Sequence, residues 1–458
     1  MKFLNLYKEN KQSVYDSIKA IWCTELVNES QHAYAKQIAK IIPELFAPAK
    51  AVPLVQCMNL YKSIKPKQCD EARALVGGLW DKPSPRPYDP YEHQLRCWEV
   101  LLKERTDDGK PKSICVTTGT GSGKTECFMI PLVYDLLQMQ QNNKDKTQEI
   151  QALFLYPLNA LMDDQKERLE ELLEGTDLTY AVYNGDLPEI EPGPNNHSDQ
   201  AEKDRKRIDQ IRGITRDENT GEIIEHRFKH ILYTRDMVRR DRPNILLTNP
   251  TMLEYVLLRK KDERLIDATK KSLRWVTIDE THTYTGAGAA ELAMLLRRVL
   301  LAFGMTAEDL HFATSSATFG NGDNPTEEEK QLKAFISGIT GVRKEQVEVV
   351  GGERIGETKI PHNEDEARWK QLFHDDFVSL ETLFPAEETI EDKLKALDDM
   401  MERMGDSTDM KVKVHYFYRV PNNGLYVRLD EINDDGTFKI YTENELKDEN
   451  KTDRKSVV

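Results

Sequence analysis

The run Thr117-Thr118-Gly119-Thr120-Gly121-Ser122-Gly123-Lys124-Thr125-Glu126 has the residue types and spacing of a phosphate-binding loop. It follows an apolar strand-like stretch, Ile114 to Val116, and opens a helix-like one, Cys127 to Leu137. Glycines in such a loop let backbone N–H groups face a nucleotide's phosphates, and the helix N-terminus adds its dipole. Lys124 reaches the β- and γ-phosphates, and the Thr125 hydroxyl is placed to ligate Mg²⁺. The general pattern, GxxxxGK followed by Ser or Thr, has glycine where Thr118 stands, so the first position departs from it. A Gly/Ser/Thr-rich surface loop shares this composition but not the flanking strand and helix, and those flanks select the phosphate loop.

A phosphate loop alone leaves kinases, GTPases, transporters and motors open. The stretch Trp275-Val276-Thr277-Ile278-Asp279-Glu280-Thr281-His282 narrows them, because an apolar strand there ends in two carboxylates. Ligands of a parallel α/β sheet bind beyond the carboxyl ends of its strands, where this pair would meet the Lys124 loop. Mg²⁺ prefers carboxylate oxygens and retained waters, so Asp279 is suited to hold it directly or through water. Glu280 is then free to orient or deprotonate the water that attacks the γ-phosphate. Adjacent acids also occur as ordinary solvated turns; the upstream loop is what gives these a role.

The elements that must position these groups follow from periodicity. Short apolar runs at Ser113 to Thr117, Ala152 to Tyr156, Tyr180 to Tyr183, Ile245 to Thr248, Trp275 to Asp279 and His311 to Ser315 alternate with helical segments. That alternation predicts a doubly wound, parallel α/β sheet. Ahead of it, apolar positions Tyr15, Ile18, Ile21 and Trp22, then Ala35, Ile38, Ile41 and Ile42, recur at helical spacing. The Pro-rich stretch Asp81 to Pro87 reads as a linker. Between Leu187 and Arg242 lies a polar insertion whose Lys203, Arg205, Lys206, Arg207, Arg227, Lys229, Arg239, Arg240 and Arg242 alternate with acids. It fits a solvated helical excursion at least as well as a DNA-contacting arm. After Phe319 an acidic helical stretch leads to alternating Val412, Val414, Tyr416, Tyr418 and Val420, followed by turns at Asn423-Gly424 and Asp435-Gly436. These predict a β-meander.

The 458 residues allow about three domains. No apolar run approaches the roughly 18 residues that a membrane helix needs. Lys2, Lys8, Glu9 and Lys11 interrupt the start, so no secretory signal is expected and the cytoplasm is the expected compartment. The six cysteines form no CxxC pair, which argues against a zinc site and a disulfide framework. A formal net charge of −15 means that nucleic-acid binding would rest on a local basic surface inside an acidic field.

With these residues in view, the chain resembles the first motor domain of a superfamily 2, DEAD/DEAH-box helicase. Glu92-His93-Gln94 precedes the loop as that family's adenine-reading glutamine does, and TGTGSGKT is a usual helicase form of the loop. Tyr156-Pro157-Leu158-Asn159-Ala160-Leu161 resembles motif Ia, Thr248-Asn249-Pro250-Thr251-Met252-Leu253 resembles motif Ib, and Tyr183-Asn184-Gly185-Asp186 matches a further turn on the nucleic-acid side. Ser316-Ala317-Thr318 matches motif III, whose Ser316 and Thr318 hydroxyls would couple the two sites. Leu253 to Arg259, Asp279 to Gly286 and Glu291 to Arg298 are similar to a narrower branch of large bacterial helicases, related to the mitomycin-repair helicase and to helicases of phage-defence islands.

The resemblance implies a RecA-like domain over residues 87–322, with the insertion at 187–242. An N-terminal helical extension over 1–86 and an acidic helical plus β-meander appendage over 323–458 would flank it. It implies ATP and Mg²⁺ as cofactors, held by Gln94, Thr118, Gly119, Thr120, Gly121, Ser122, Gly123, Lys124, Thr125 and Asp279. Lys124, Asp279 and Glu280 would be catalytic. It implies a single strand of DNA as partner, contacted at Pro157, Asn159, Gly185, Thr248 and Asn249. The family's second motor domain supplies an arginine through a motif of the form QxxGRxxR, which this sequence does not contain. A second chain supplying that domain is therefore an expected partner. The rival reading is a nucleotide-gated subunit that grips DNA or a partner without efficient hydrolysis.

Overall fold

The computed structural model describes residues 3–8, 53–59, 61–82, 89–119, 122–142, 149–217, 222–316, 325–355, 364–374, 378–404, 410–415, 425–427 and 440–442. It divides into two compact units, one of residues 61–354 and one built from both ends of the chain, 1–60 with 355–458.

The first unit is a seven-stranded sheet. Its spatial order is Val347–Val350, Ser113–Val116, His311–Ser315, Trp275–Ile278, Ala152–Leu155, Ile245–Thr248, Tyr180–Tyr183, and every neighbouring pair is parallel. Six of these strands are the ones the alternation predicts. The six are buried along their whole length, as a sheet covered on both faces requires. Side chains alternate across the sheet, so Ile114, Val116, Phe154 and Leu247 enter one core with the helices Glu92–Leu102, Lys124–Asn142 and Asn159–Leu173. Cys115, Leu153, Leu246 and Val276 enter the other with Pro250–Leu258, Gly286–Ala302 and Pro325–Thr340. This is the doubly wound α/β arrangement expected of a RecA-like domain. Because all strands run the same way, the segments after Val116, Leu155, Tyr183, Thr248, Ile278 and Ser315 emerge on one edge.

The seventh strand, Val347–Val350, was not expected. It pairs with Ser113–Val116, and with it the sheet unit reaches Arg354, beyond the boundary expected at residue 322. At the other end the unit begins at Tyr61 rather than at 87. The helix Pro66–Leu75 buries Cys69 and Ala72 in the first sheet core.

The described residues before 60 hold one helical segment and one strand. Residues 3–8 are helical, but Leu54–Asn59 is a strand that pairs antiparallel with Val378–Ser379 and with Met410–His415. Phe3 and Leu4 donate their backbone N–H groups to the Asp398 carboxylate, and Phe3, Val55, Trp369, Leu380, Leu394 and Met400 share one core. The β-meander is corrected in the same way. Met410–His415 takes its partner from more than 350 residues upstream, while Leu425–Val427 and Ile440–Thr442 pair with each other. The helical positions from Tyr15 to Ile42, most of the linker, and Tyr416, Tyr418 and Val420 lie outside the described residues.

The insertion holds a helix, Asp199–Arg212, capped by the Ser198 hydroxyl, then a hairpin of Ile214–Arg216 with Ile223–His226 and a helix Arg235–Asp241. Several of its arginines pair with acids inside the insertion or beside it. Arg207 pairs with Asp186 at 2.6 Å, Arg216 with Asp209 at 2.6 Å, Arg227 with Glu167 at 2.7 Å and Arg240 with Asp241 at 2.8 Å. Arg239 reaches the buried Asp262 at 2.7 Å. These pairings favour the solvated excursion over a DNA-contacting arm. No helix among the described residues is long and apolar enough to cross a membrane.

One buried histidine makes the sheet sensitive to acid. His311 stacks on Trp275 with ring centroids 4.4 Å apart, and its Nδ1 lies 2.8 Å from the Lys112 carbonyl. Burial pushes its imidazole down from 6.5 to about 4. Between those values the unfolded chain binds the proton and the folded chain does not. Its contribution is therefore complete above about pH 6.5 and is lost as pH falls toward 4. We expect His311→Asn, which keeps a donor near the Nδ1 position, to unfold with uptake of about one proton fewer near pH 5. Denaturant midpoints measured across pH check this; parallel pH profiles for the two proteins would rule it out.

Candidate nucleotide and nucleic-acid sites

The phosphate loop leaves the strand Ser113–Val116 and enters the helix Lys124–Asn142, as its sequence requires. Gly123 has φ +74°, and a Cβ there would lie 2.3 Å from Gln94 Nε2, so glycine is required both by conformation and by space. Gln94 is buried, and its amide is already engaged: Oε1 accepts from Tyr91 N–H at 2.9 Å and Nε2 donates to the Gly123 carbonyl at 3.2 Å. Expected as an adenine reader, it braces the loop and has one Nε2 hydrogen left. His93 Nε2 lies 3.0 Å from the Ser122 carbonyl, and the Thr118 and Ser122 hydroxyls hydrogen-bond across the loop. Thr120 and Gly121 lie outside the described residues.

Two residues that sequence reasoning missed also hold this loop. The Gly119 N–H donates to the Tyr61 hydroxyl at 2.8 Å, and the Arg354 guanidinium packs on the Tyr61 ring 5.0 Å from its centroid. Tyr61 further packs edge-on against His93, with centroids 5.1 Å apart. No spacing rule points to either residue, because they lie at opposite ends of the unit.

The carboxylates sit at the carboxyl end of the strand Trp275–Ile278. Ser315, at the end of the neighbouring strand, donates its hydroxyl to Asp279 Oδ1 and accepts the Glu280 N–H at 3.1 Å. Glu280 adopts φ +49°, a left-handed conformation that costs a non-glycine residue roughly 1–2 kcal/mol, and these bonds hold it there. The Glu280 carboxylate lies 3.2 Å from His282 Nδ1. Ser316 is the next residue; its carbonyl accepts from Lys124 Nζ at 3.4 Å, while its own buried hydroxyl has no hydrogen-bond partner among the described residues. Thr318 lies outside the described residues. Ser315 was missed because it reads as the last residue of an apolar strand. Asp279 Oδ2 and the Thr125 hydroxyl make no hydrogen bond among the described residues. Hard oxygen donors left open beside a phosphate loop fit Mg²⁺.

Further along the same edge, Pro157, Gly185 and Asn249 line one cleft of about 630 Å³ together with Pro250, Thr251, Met252, Tyr255, Thr283 and Tyr284. Two helix N-termini meet here. Asn249 caps Pro250–Leu258 by accepting the Met252 N–H at 2.7 Å, and its Nδ2 donates to Asn159 Oδ1 at 2.9 Å, at the start of Asn159–Leu173. Their aligned dipoles favour an anion. Arg235 fixes the turn that carries Gly185, donating to the Asn184 and Leu187 carbonyls at 2.6 and 2.9 Å. Thr248 does not join the surface: it is fully buried, and its hydroxyl donates to the Tyr183 carbonyl at 2.7 Å. Tyr284 leads back to the carboxylates, since its N–H donates to the Thr281 carbonyl at 3.1 Å. Burial and then the nearby Asp279 charge push its phenol up to about 12, so it stays a donor.

Residues 91–210 match the DEAD/DEAH box helicase family. Over 384 residues the chain is 26% identical to the Druantia protein DruE of Escherichia coli (strain UMEA 4076-1), covering 69% of this chain and 20% of that protein. Over 233 residues it is 26% identical to the uncharacterized ATP-dependent helicase YprA of Bacillus subtilis (strain 168), covering 50% of this chain and 23% of that one. The chain thus spans about a fifth of the length of these relatives. Among solved structures it is similar to the DUF1998 helicase MrfA bound to DNA and AMPPNP, at 22% identity and a TM-score of 0.38. That likeness covers 73% of this chain and 38% of the other.

The Ser315 contacts generate a direct test. Ser315→Ala releases Asp279 and removes an acceptor from the Glu280 N–H. Calorimetry of ATP binding with and without Mg²⁺ should show the magnesium-dependent gain in affinity falling several-fold, with magnesium-free binding little changed. An unaltered gain would assign Ser315 to the fold alone.

Proposed function

We propose that this chain, which carries a DEAD/DEAH box helicase domain, is the ATP-binding part of a DNA helicase or translocase. The observation that supports this most directly is the paired role of Ser315 and Ser316. Adjacent residues at one strand end hold the Asp279-Glu280 turn through a hydroxyl and Lys124 through a carbonyl. A change in phosphate contact at Lys124 is thereby felt at the hydrolytic turn, and the next segment, Thr283-Tyr284, lines the cleft for the strand.

In this reading Lys124 and the loop N–H groups from Thr118 to Thr125 hold the triphosphate, and the free hydrogen of Gln94 Nε2 meets adenine. Mg²⁺ would be held by Thr125 and Asp279 and would neutralise charge building on the phosphates. Glu280 orients the attacking water and takes its proton. The two helix N-termini beside Asn159 and Asn249, with the backbone at Pro157 and Gly185, take phosphates of a single DNA strand. Thr248 acts from beneath by fixing that edge, and Ser316 with Thr318 relays the nucleotide state.

The sequence has no QxxGRxxR arginine, and such a group is worth roughly 10³ to 10⁵ in turnover. Slow hydrolysis by this chain alone, raised by a second motor domain in a longer protein or a second chain, is the consequence. This supports keeping the rival reading, a nucleotide-gated DNA grip, for the chain by itself.

Lys124→Ala should abolish MgATP binding in calorimetry, whereas Glu280→Gln should keep binding and lose whatever hydrolysis remains. Affinity unchanged by Lys124→Ala would sink the nucleotide assignment. Binding of single-stranded DNA should weaken with salt, log K falling by roughly 0.7 per log unit of salt for each neutralised phosphate. Salt-insensitive binding, or binding untouched by Asn249→Ala, would place the strand elsewhere.

A further inference from the structure

The cleft carries an exposed aromatic group that backbone contacts alone do not use, and a cation packs on that ring from outside the cleft lining. Tyr255, on the helix Pro250–Leu258, is 46% exposed at the cleft wall, although its helix neighbours Met252 and Val256 are buried. The Arg259 guanidinium lies 4.6 Å from the Tyr255 ring centroid and has no carboxylate partner among the described residues. Arg207, Arg216, Arg227 and Arg240 of the insertion, by contrast, pair with acids. Arg259 is the C-cap residue of the helix Pro250–Leu258, so in a chain of net charge −15 it sets a cation against the exposed ring from the end opposite the helix N-terminus at Asn249. Tyr284 lines the same cleft, and its buried hydroxyl has no partner among the described residues, so an acceptor brought by a ligand would satisfy it.

We infer that this cleft holds an unstacked nucleobase of single-stranded nucleic acid, with Tyr255 as its stacking platform and Arg259 neutralising the adjoining phosphate. The inference rests on the reading of this edge as the strand-binding site and adds what that reading lacks, a contact to a base. A ring with an exposed face and a fixed guanidinium fit the alternation of π-faces and phosphates along a single strand. A base paired and stacked in a duplex offers no free face to Tyr255, so the subsite selects the single-stranded form.

The test compares two probes on the full chain, an oligodeoxythymidylate and an oligomer of abasic deoxyribose phosphates of equal length. The wild type should bind the thymidylate more tightly by roughly fivefold or more. Tyr255→Ala should remove that preference while leaving the abasic affinity unchanged, and Tyr255→Phe should keep it. Arg259→Gln should weaken both probes and lower the salt dependence by roughly 0.7 in log–log slope. Equal, salt-sensitive binding of both probes by the wild type would overturn the base contact and leave the phosphate reading standing. So would a Tyr255→Ala variant that loses affinity for both equally. Failure of both probes to bind would overturn both readings.

Discussion

The hydroxyl of Ser315 is the interaction on which this edge depends. It donates to Asp279 Oδ1 and accepts from the Glu280 N–H, and so holds a glutamate in a backbone conformation it would not adopt unaided. The Thr281 hydroxyl donates in turn to the Ser315 carbonyl, so the contact runs both ways between the two strand ends. This is possible only because the strands Trp275–Ile278 and His311–Ser315 are parallel neighbours. The register fixes which residue of one strand end faces the acids of the other, and the sheet thereby sets the direction of the Glu280 carboxylate. A pair of loops without that register would have to order the same turn at the full cost of its strain.

Charge follows a similar economy. The basic residues that stand out in the sequence are largely consumed by neighbouring acids, and the edge where strands end supplies its positive potential from backbone N–H groups instead. Helix N-termini offer this without a side chain that an acidic surface would capture. Thr248 illustrates the division of labour: its buried hydroxyl ties the strand Ile245–Thr248 to Tyr183, and the residue after it, Asn249, caps a helix and bridges to Asn159. A polyanion can therefore be met locally while the net charge stays at −15.

Much of the sheet was legible because its strands are continuous apolar runs, and continuous runs report burial on both faces. The phosphate loop and the Asp279-Glu280 turn were legible because glycine, lysine and paired acids at strand ends have few other uses. Ser315, Tyr61 and Arg354 were not, since each acts through a partner far away in sequence. The strand Val347–Val350 is too short and too mixed, with Glu348 at its centre, to announce itself. The end-built unit was hidden for the same reason. Leu54–Asn59 alternates like many half-buried strands, but its partners lie beyond residue 377, and periodicity carries no information about pairing at that separation.

The residues least visible in the sequence close the sheet unit on itself. Tyr61 and Arg354 are its first and last residues, they bridge each other, and both stand at the phosphate loop through Gly119. Gly352 makes room for the Tyr61 ring, which a Cβ at that position would approach to 2.5 Å. Any shift of the Gly119 N–H, whether from phosphate binding or release, must therefore move the Tyr61 hydroxyl or break its hydrogen bond. Tyr61 and Arg354 thereby tie Gly119 to the first and last residues of this unit. The Asp279-Glu280 turn is thus tied to the cleft wall through Thr281 and Tyr284, and the loop after Val116 is tied to both ends of this unit through Gly119, Tyr61 and Arg354, by hydrogen bonds that no single stretch of sequence contains.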